Sequence, residues 1–366
     1  MLAELRDALA GGDAILVSGS SADAAAVELP PTVEQRVAVV VETSGSTGKP
    51  KRVALSADAL LANAAASESA LGGPGQWVLA LPTQYIAGLN VLTRSLAAET
   101  EPVTVAGEHF TATTFVDAVG RMSVPERYTA LVPAQLATLL DDPDGSRALA
   151  QFAAVLVGGQ ATPRPLLERA VAAGIRVRRS YGSSETSGGC VYDGVPIGTT
   201  TVRVVDDEVW LGGPGLAEGY LGAPELTAER FVQAAGARWF RTADGGSFEG
   251  GVLTITGRRD DVLISGGVKV AIASIERVLH EQPGLDDAIV VAVPDERWGE
   301  VPVAVTASPG ADRDAAVAAV AAALGAPARP ARVLTVPALP LLPSGKVDRL
   351  AVRALALAEG RPGGTR

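Results

Sequence analysis

The stretch from Glu42 to Ser56 reads ETSGSTGKPKRVALS and packs small hydroxyls, two glycines and two lysines into one short segment. Backbone N–H groups, hydroxyls and an ammonium so concentrated can wrap a polyphosphate. It is not a Walker A loop. That loop needs G-x-x-x-x-G-K-[ST] opening a helix, whereas Gly45 and Gly48 stand too close together and Pro50 follows Lys49, removing a backbone donor. By residue type alone, a solvent-exposed turn accounts for the segment equally well, so the decision rests on the remainder of the chain. Lysine itself is scarce. Only Lys49, Lys51, Lys269 and Lys346 are lysines among 31 basic residues, and Lys49 and Lys346 stand beside glycine in Gly/Ser loops. A compact ammonium has uses there that a guanidinium lacks. Other chemistries are poorly supplied. Two histidines, His109 and His280, and one cysteine, Cys190, cannot assemble a zinc set of usual spacing, and no G-x-S-x-G elbow is present.

The elements that must position these residues follow from hydropathy. RVAVVV at Arg36 reads as a buried strand, Val53–Leu55 as a second one, and Ser56 as the N-cap of a helix through about Ala70. Apolar runs WVLALP, YTALVP and AAVLVGG alternate with helical stretches such as Pro163–Ala173, an α/β pattern. From about Val202 short strands with Gly/Pro turns indicate a β-rich subdomain. After Asp260 a helix from Ala273, the strand DAIVVAVPD, a strand from Val301, an alanine-rich helix and ARVLTV suggest a small separate domain. The expected organisation is an N-terminal domain over residues 1–259, a C-terminal domain over 260–360, and a disordered tail over 361–366.

Bulk properties bound the partners. With 366 residues, 47% hydrophobic content and 20% charge, the chain is long enough for a large core and is not disordered. A net charge of −10 argues against a nucleic-acid partner. The longest apolar run, Ala315–Leu324, is too short to span a bilayer, and the N-terminal residues lack a signal-peptide pattern. The cytoplasm is the expected compartment, with no membrane partner.

Downstream of the loop come YGSSET (Tyr181–Thr186), RTADGG (Arg241–Gly246), GRRDDVLISGGVKV (Gly257–Val270) and LPSGKVDR (Leu342–Arg349). In order and spacing these resemble the core motifs of the adenylate-forming superfamily of acyl-CoA synthetases, luciferases and nonribosomal adenylation domains. The resemblance implies an α/β fold, with a large N-terminal domain of mixed β-sheets packed with helices plus a β-rich subdomain, and a small mobile α+β C-terminal domain. It implies ATP and Mg²⁺, with CoA as co-substrate. Thr43, Ser44, Gly45, Ser46, Thr47, Gly48 and Lys49 would hold the β- and γ-phosphates. Tyr181 would stack on adenine opposite Gly158, Gly159 and Gln160, beside Gly182. Ser184 would lie near the α-phosphate and Glu185 near Mg²⁺. Asp244 would accept from the ribose hydroxyls, with Arg258 close to the nucleotide. Lys346 would be the catalytic lysine, stabilising charge where two anions react. Asp260 would be the hinge, and Gly266 and Gly267 would line the channel for CoA.

The segment LPTQYIAGLNVL (Leu81–Leu92) resembles a motif that carries an aromatic–His pair, replaced here by Gln84 and Tyr85. With YGSSETSGGCVYDGVPIG (Tyr181–Gly198) and the short N-terminal segment, it points within the superfamily to the o-succinylbenzoate–CoA ligases of menaquinone biosynthesis, in their short actinobacterial form. Tyr85, Gly88, Thr186, Ser187, Gly188 and Gly189 would line the acyl site. Thr186, Ser187, the glycine amides or Arg94 could meet the substrate's second carboxylate, and Cys190 would be a packing residue. The short N-terminal segment, which weakens any transfer of the homodimer found in relatives, is expected to mean a reduced N-terminal subdomain. Another aryl- or acyl-CoA synthetase, a stand-alone enzyme loading a carrier protein, and a non-catalytic nucleotide-binding scaffold are the alternatives.

Overall fold

The computed structural model describes residues 1–18, 32–43, 51–107, 109–342 and 345–359. The chain packs as two units. The first comprises Met1–Thr162, Arg169–Thr242 and Phe248–Leu253; the second comprises Pro163–Glu168, Ala243–Ser247 and Thr254–Arg366.

The first unit is organised around a seven-stranded sheet. Val103–Thr104, Gln76–Leu79, Arg127–Leu131, Ala154–Gly158 and Val177–Ser183 lie side by side and parallel, and Gly188–Tyr192 and Val195–Pro196 extend the sheet antiparallel. Trp77, Val78, Val155, Leu156 and Val157 are all buried, as expected for parallel strands covered on both faces. A second sheet orders Ile15–Val17, Val37–Thr43, Lys51–Ser56 and Gly219–Tyr220. Val37–Thr43 and Lys51–Ser56 form the expected antiparallel pair, closing with Thr43 opposite Lys51. The segment Ser44–Lys49, which the sequence nominates for phosphate, lies outside the described residues. The helix Ala57–Leu71 then starts where its cap predicts, with Ala59 N donating to Ser56 Oγ at 3.3 Å, and it stops at Gly72 with φ +105°. The β-rich texture after Val202 becomes a sheet of Thr201–Val205, Glu208–Gly212, Ala237–Glu249 and Phe231–Ala234, with Val252–Arg258 paired on Ala237–Glu249.

In the second unit, the sheet order is Val268–Ala271, Val262–Ser265, Gly299–Thr306 and Ile289–Asp295, with Arg332–Thr335 parallel to Gly299–Thr306. Period-two alternation splits its strands between two cores. Val290 and Ala304 join the core beneath helices Ile272–His280 and Arg313–Leu324, while Val291, Val303 and Val305 join Val352 and Ala356 of a helix Arg349–Ala358. That last helix is absent from the sequence reading. Its Asp348 cap accepts from Ala351 N at 3.0 Å, and Arg349 reaches both oxygens of Glu276 at 2.7 Å.

Candidate active site

Within the first unit, the nominated nucleotide residues gather at the carboxyl ends of two adjacent parallel strands, the place where open α/β sheets leave a crevice for ligands. Gly158 ends Ala154–Gly158 opposite Ser180, so close that a Cβ would meet Ser180 O at 2.7 Å. Gly159 follows with φ +85° and Gln160 is exposed. Tyr181, on the neighbouring strand, is half-buried against the core around Cys190. A bulge follows it, and Gly182 at φ +156° brings its backbone so near Gly188 that a Cβ would stand 2.1 Å from Gly188 O.

The chain then turns sharply through Ser184–Thr186, Ser187 at φ +53° and Gly188 at φ +102° before returning as Gly188–Tyr192. Thr186 holds the turn from inside: its Oγ1 accepts from Ser183 N at 3.0 Å and donates to Gly188 O at 2.7 Å. Two buried amides hold it from outside. Asn63 Nδ2 donates to Gly189 O at 2.9 Å, and Asn90 Nδ2 donates to Ser187 O at 2.8 Å. Tyr85 stands at the N-cap of the helix Ile86–Ala97, where burial raises its phenol pKa. Gly88 lets that helix approach the Pro82 carbonyl, 2.2 Å from where a Cβ would be. The acyl-site candidates are therefore neighbours: Ile86 and Asn90 both flank Gly188.

One turn after Asn90, Arg94 is 6% exposed, lies 5.0 Å from the Trp77 ring centroid and donates to Tyr192 OH at 3.3 Å. Among the described residues its Nε has no hydrogen-bond partner, and the same is true of Ser95 Oγ, Ser183 Oγ, Ser187 Oγ and Asn63 Oδ1. Native interiors seldom leave so many buried polar atoms unpaired. Sequence reading weighed Arg94 and missed Asn63, Asn90 and Ser67, whose Oγ lies 2.8 Å from the same Tyr192 OH. The signal was there: Asn63/Ser67 and Asn90/Arg94 are i, i+4 polar pairs, each one turn apart on one side of its helix. Cys190 is buried, and burial pushes its thiol up to about 12, partly offset by a hydrogen bond with Thr186. It is a packing residue rather than a nucleophile.

Glu185 is half-buried. Its Oε1 accepts from Tyr220 OH at 2.9 Å and its carbonyl accepts from Ala217 N at 2.9 Å. Burial, followed by the Glu185 charge, pushes the Tyr220 phenol well above its ordinary value, so the phenol is the donor. Thr43 Oγ1 donates to Lys51 O at 3.4 Å across the mouth of the hairpin.

In the second unit, Arg258 forks onto both oxygens of Asp260 at 2.8 Å and lies 3.6 Å from Asp244. Three of the nominated residues are thus brought together. Gly266 and Gly267, at φ +56° and +81°, turn the hairpin between Val262–Ser265 and Val268–Ala271, with Gly266 N donating to Trp298 O at 2.8 Å. Lys346 is exposed on a turn closed by the Leu341–Val347 bridge, and its carbonyl accepts from Leu342 N at 2.8 Å.

Comparison with known proteins matches residues 6–221 to the AMP-binding enzyme family and residues 274–346 to the AMP-binding enzyme C-terminal domain. The chain belongs to the AMP-binding enzyme family. A Mycobacterium tuberculosis (strain H37Rv) member named "Probable 2-succinylbenzoate--CoA ligase" is 42% identical over 83% of this chain and 80% of its own length. The 2-succinylbenzoate–CoA ligase of Salmonella typhimurium is 34% identical over 82% of this chain, which spans only 64% of that protein. Among solved structures, a variant of E. coli MenE with bound OSB-AMS is 29% identical with a TM-score of 0.72, covering 88% of this chain and 69% of that one. Bacillus subtilis MenE in complex with the acyl-adenylate intermediate OSB-AMP is 26% identical with a TM-score of 0.72, covering 90% of this chain and 70% of that one. The fold is that of adenylate-forming enzymes, as the motif order implies.

Proposed function

We propose that this AMP-binding enzyme is a 2-succinylbenzoate–CoA ligase of menaquinone biosynthesis. The observation that carries the reading is 42% identity across 83% of the chain to the mycobacterial protein of that name. The acid's carboxylate oxygen bonds to the α-phosphorus of ATP and pyrophosphate leaves. The sulfur of CoA then bonds to the acyl carbon, its proton is lost, and AMP leaves.

In this reading Thr43–Lys49 grip the departing phosphates, Gly158–Gln160, Tyr181 and Gly182 hold adenine, and Ser184 meets the α-phosphate. Asp244 accepts from the ribose beside Arg258, and Lys346 serves the reacting centre by offsetting charge as the two anions meet. Asp260 is the hinge, and Gly266 and Gly267 leave room for pantetheine. Magnesium fits the donor set. Glu185 offers a hard carboxylate oxygen that the Tyr220 phenol does not take, and no cluster of three or more His, Cys, Asp or Glu exists among the described residues. The ion would take its other oxygens from substrate phosphates and water. When bound, it offsets charge on the triphosphate.

The acid lies against Tyr85, Gly88 and the Thr186–Gly189 turn. For its second carboxylate, Thr186 is excluded because its hydroxyl is spent on Ser183 and Gly188. Arg94 supplies the charge: it is a buried guanidinium whose described contacts are a phenol and an indole, not a carboxylate. Ser187 Oγ, buried and without a partner among the described residues, is the second donor.

Incubation with MgATP, CoA and a panel of aromatic acids tests the reading. AMP and o-succinylbenzoyl-CoA should appear, and Arg94→Ala should raise KM for 2-succinylbenzoate by at least about 10-fold, one buried charge-assisted hydrogen bond. Thioesters of simple benzoates in place of o-succinylbenzoyl-CoA would overturn the substrate assignment.

A further inference from the structure

We propose that Tyr220 is a positioning residue that holds one oxygen of Glu185 and so fixes the direction in which the other is presented to the metal–triphosphate. The inference rests on the reading of Glu185 as the magnesium ligand. Glutamate has three rotatable bonds and, half-buried at the surface of a turn, would otherwise sample several orientations. Here Oε1 accepts from Tyr220 OH at 2.9 Å, while Oε2 takes no hydrogen bond among the described residues.

The phenol is itself held rigidly. Tyr220 is 6% exposed, and its ring packs on Phe231 at 5.8 Å between centroids. Its backbone is fixed on two sides. Gly219–Tyr220 pairs antiparallel with Lys51–Ser56, and Tyr220 N donates to Thr227 Oγ1 at 2.9 Å. Gly219 lies so close to Thr227 that a Cβ would meet its Cγ2 at 2.4 Å, so this two-residue strand has no room to slide. A second contact ties the same ring to the phosphate segment. The Lys51 ammonium, the first described group after that segment, lies 5.8 Å from the Tyr220 centroid, within cation–π range. One aromatic ring therefore bridges the carboxylate and the strand that leaves the nominated phosphate loop, coupling the two through rigid parts. Partners of this kind, one step removed from a metal, commonly carry about 10- to 100-fold in metal affinity or activity.

Tyr220→Phe removes only the O–H, keeping the ring, its packing and the Lys51 contact. The test measures Mn²⁺ affinity by the loss of free-ion EPR signal, on full-length protein saturated with α,β-methylene-ATP, whose bridging carbon prevents loss of the leaving group and so blocks AMP transfer. Tyr220→Phe should weaken Mn²⁺ by about 10-fold or more, with affinity for the metal-free analogue unchanged and the thermal midpoint close to that of the parent. Glu185→Gln should weaken Mn²⁺ at least as much, and adding Tyr220→Phe to it should cost little further. If Glu185→Gln weakens Mn²⁺ and Tyr220→Phe does not, or the two losses add in full, Tyr220 does not act through Glu185 and the proposal falls. If Glu185→Gln leaves Mn²⁺ affinity unchanged, the reading of Glu185 as a metal ligand fails first.

Discussion

Gly188→Ala is a one-carbon probe of how the acyl-site turn is held. Gly188 has φ +102°, and an added Cβ would lie 2.0 Å from Asn90 Nδ2, inside any possible contact distance. Two costs follow. A side chain in that backbone region costs about 1–3 kcal/mol. Displacing Asn90 breaks its 2.8 Å bond to Ser187 O and leaves a buried acceptor unpaired, about 1–3 kcal/mol more. The sum, on the order of 2–6 kcal/mol, is a large share of the stability of an ordinary domain. Urea unfolding of the parent, Gly188→Ala, Asn90→Ala and the double variant resolves the two. Asn90→Ala alone should lose the hydrogen-bond part. The double variant should lose less than the sum, because the amide that obstructs the methyl is gone, with a coupling of about 0.5–3 kcal/mol. Both single variants should also raise KM for the acid. A Gly188→Ala midpoint equal to the parent's, or strict additivity, would refute the packing of Asn90 on Gly188.

Three further outcomes follow from other parts of the chain. The Cys190 thiol rises from an ordinary value near 9.0 to about 12, so its contribution to stability is complete below pH 9 and is lost as pH rises towards 12. The difference between parent and Cys190→Ala should shrink by up to about 1.4 kcal/mol per pH unit across that window, and the native thiol should resist alkylation until urea exposes it. Asp348→Ala should cost about 1 kcal/mol by uncapping the helix Arg349–Ala358, and Asp348→Asn should recover most of it in thermal unfolding. Lys346→Ala should slow acid-dependent AMP formation by at least about 100-fold while leaving thioester formation from supplied acyl-adenylate largely intact; equal loss of both in a folded protein would remove Lys346 from the adenylation step.

Local chemistry was legible where it acts over a few residues. Ser56 caps Ala57–Leu71 through Ala59 N three positions later, and runs such as AVLV at Ala154 form strands because both sheet faces are covered. The β-rich middle and the alternation after Asp260 were equally plain. The helix Arg349–Ala358 was not read, although its apolar residues fall on one side; of these only Val352 and Ala356 are buried, against Val291, Val303 and Val305 from strands far back in the chain. The site shows the same division. Tyr181 and Glu185 stand out by motif, yet what holds them lies far away in sequence: Asn63 meets Gly189 over a separation of 126 residues and Asn90 meets Ser187 over 97. Tyr220 stands in GLAEGYLG, which reads as a plain turn, and only the pairing of Gly219–Tyr220 with Lys51–Ser56 aims its hydroxyl at Glu185. Contacts of that kind depend on the order of strands in a sheet, which no spacing along the chain encodes.

Activation of 2-succinylbenzoate by this AMP-binding enzyme is an adenylation that precedes any part played by the thiol. Exchange of labelled pyrophosphate into ATP, measured with the acid and Mg²⁺ but without CoA, tests it most directly. Exchange should require 2-succinylbenzoate and disappear in Lys346→Ala. Acid-dependent release of ADP and phosphate with no pyrophosphate exchange would contradict it.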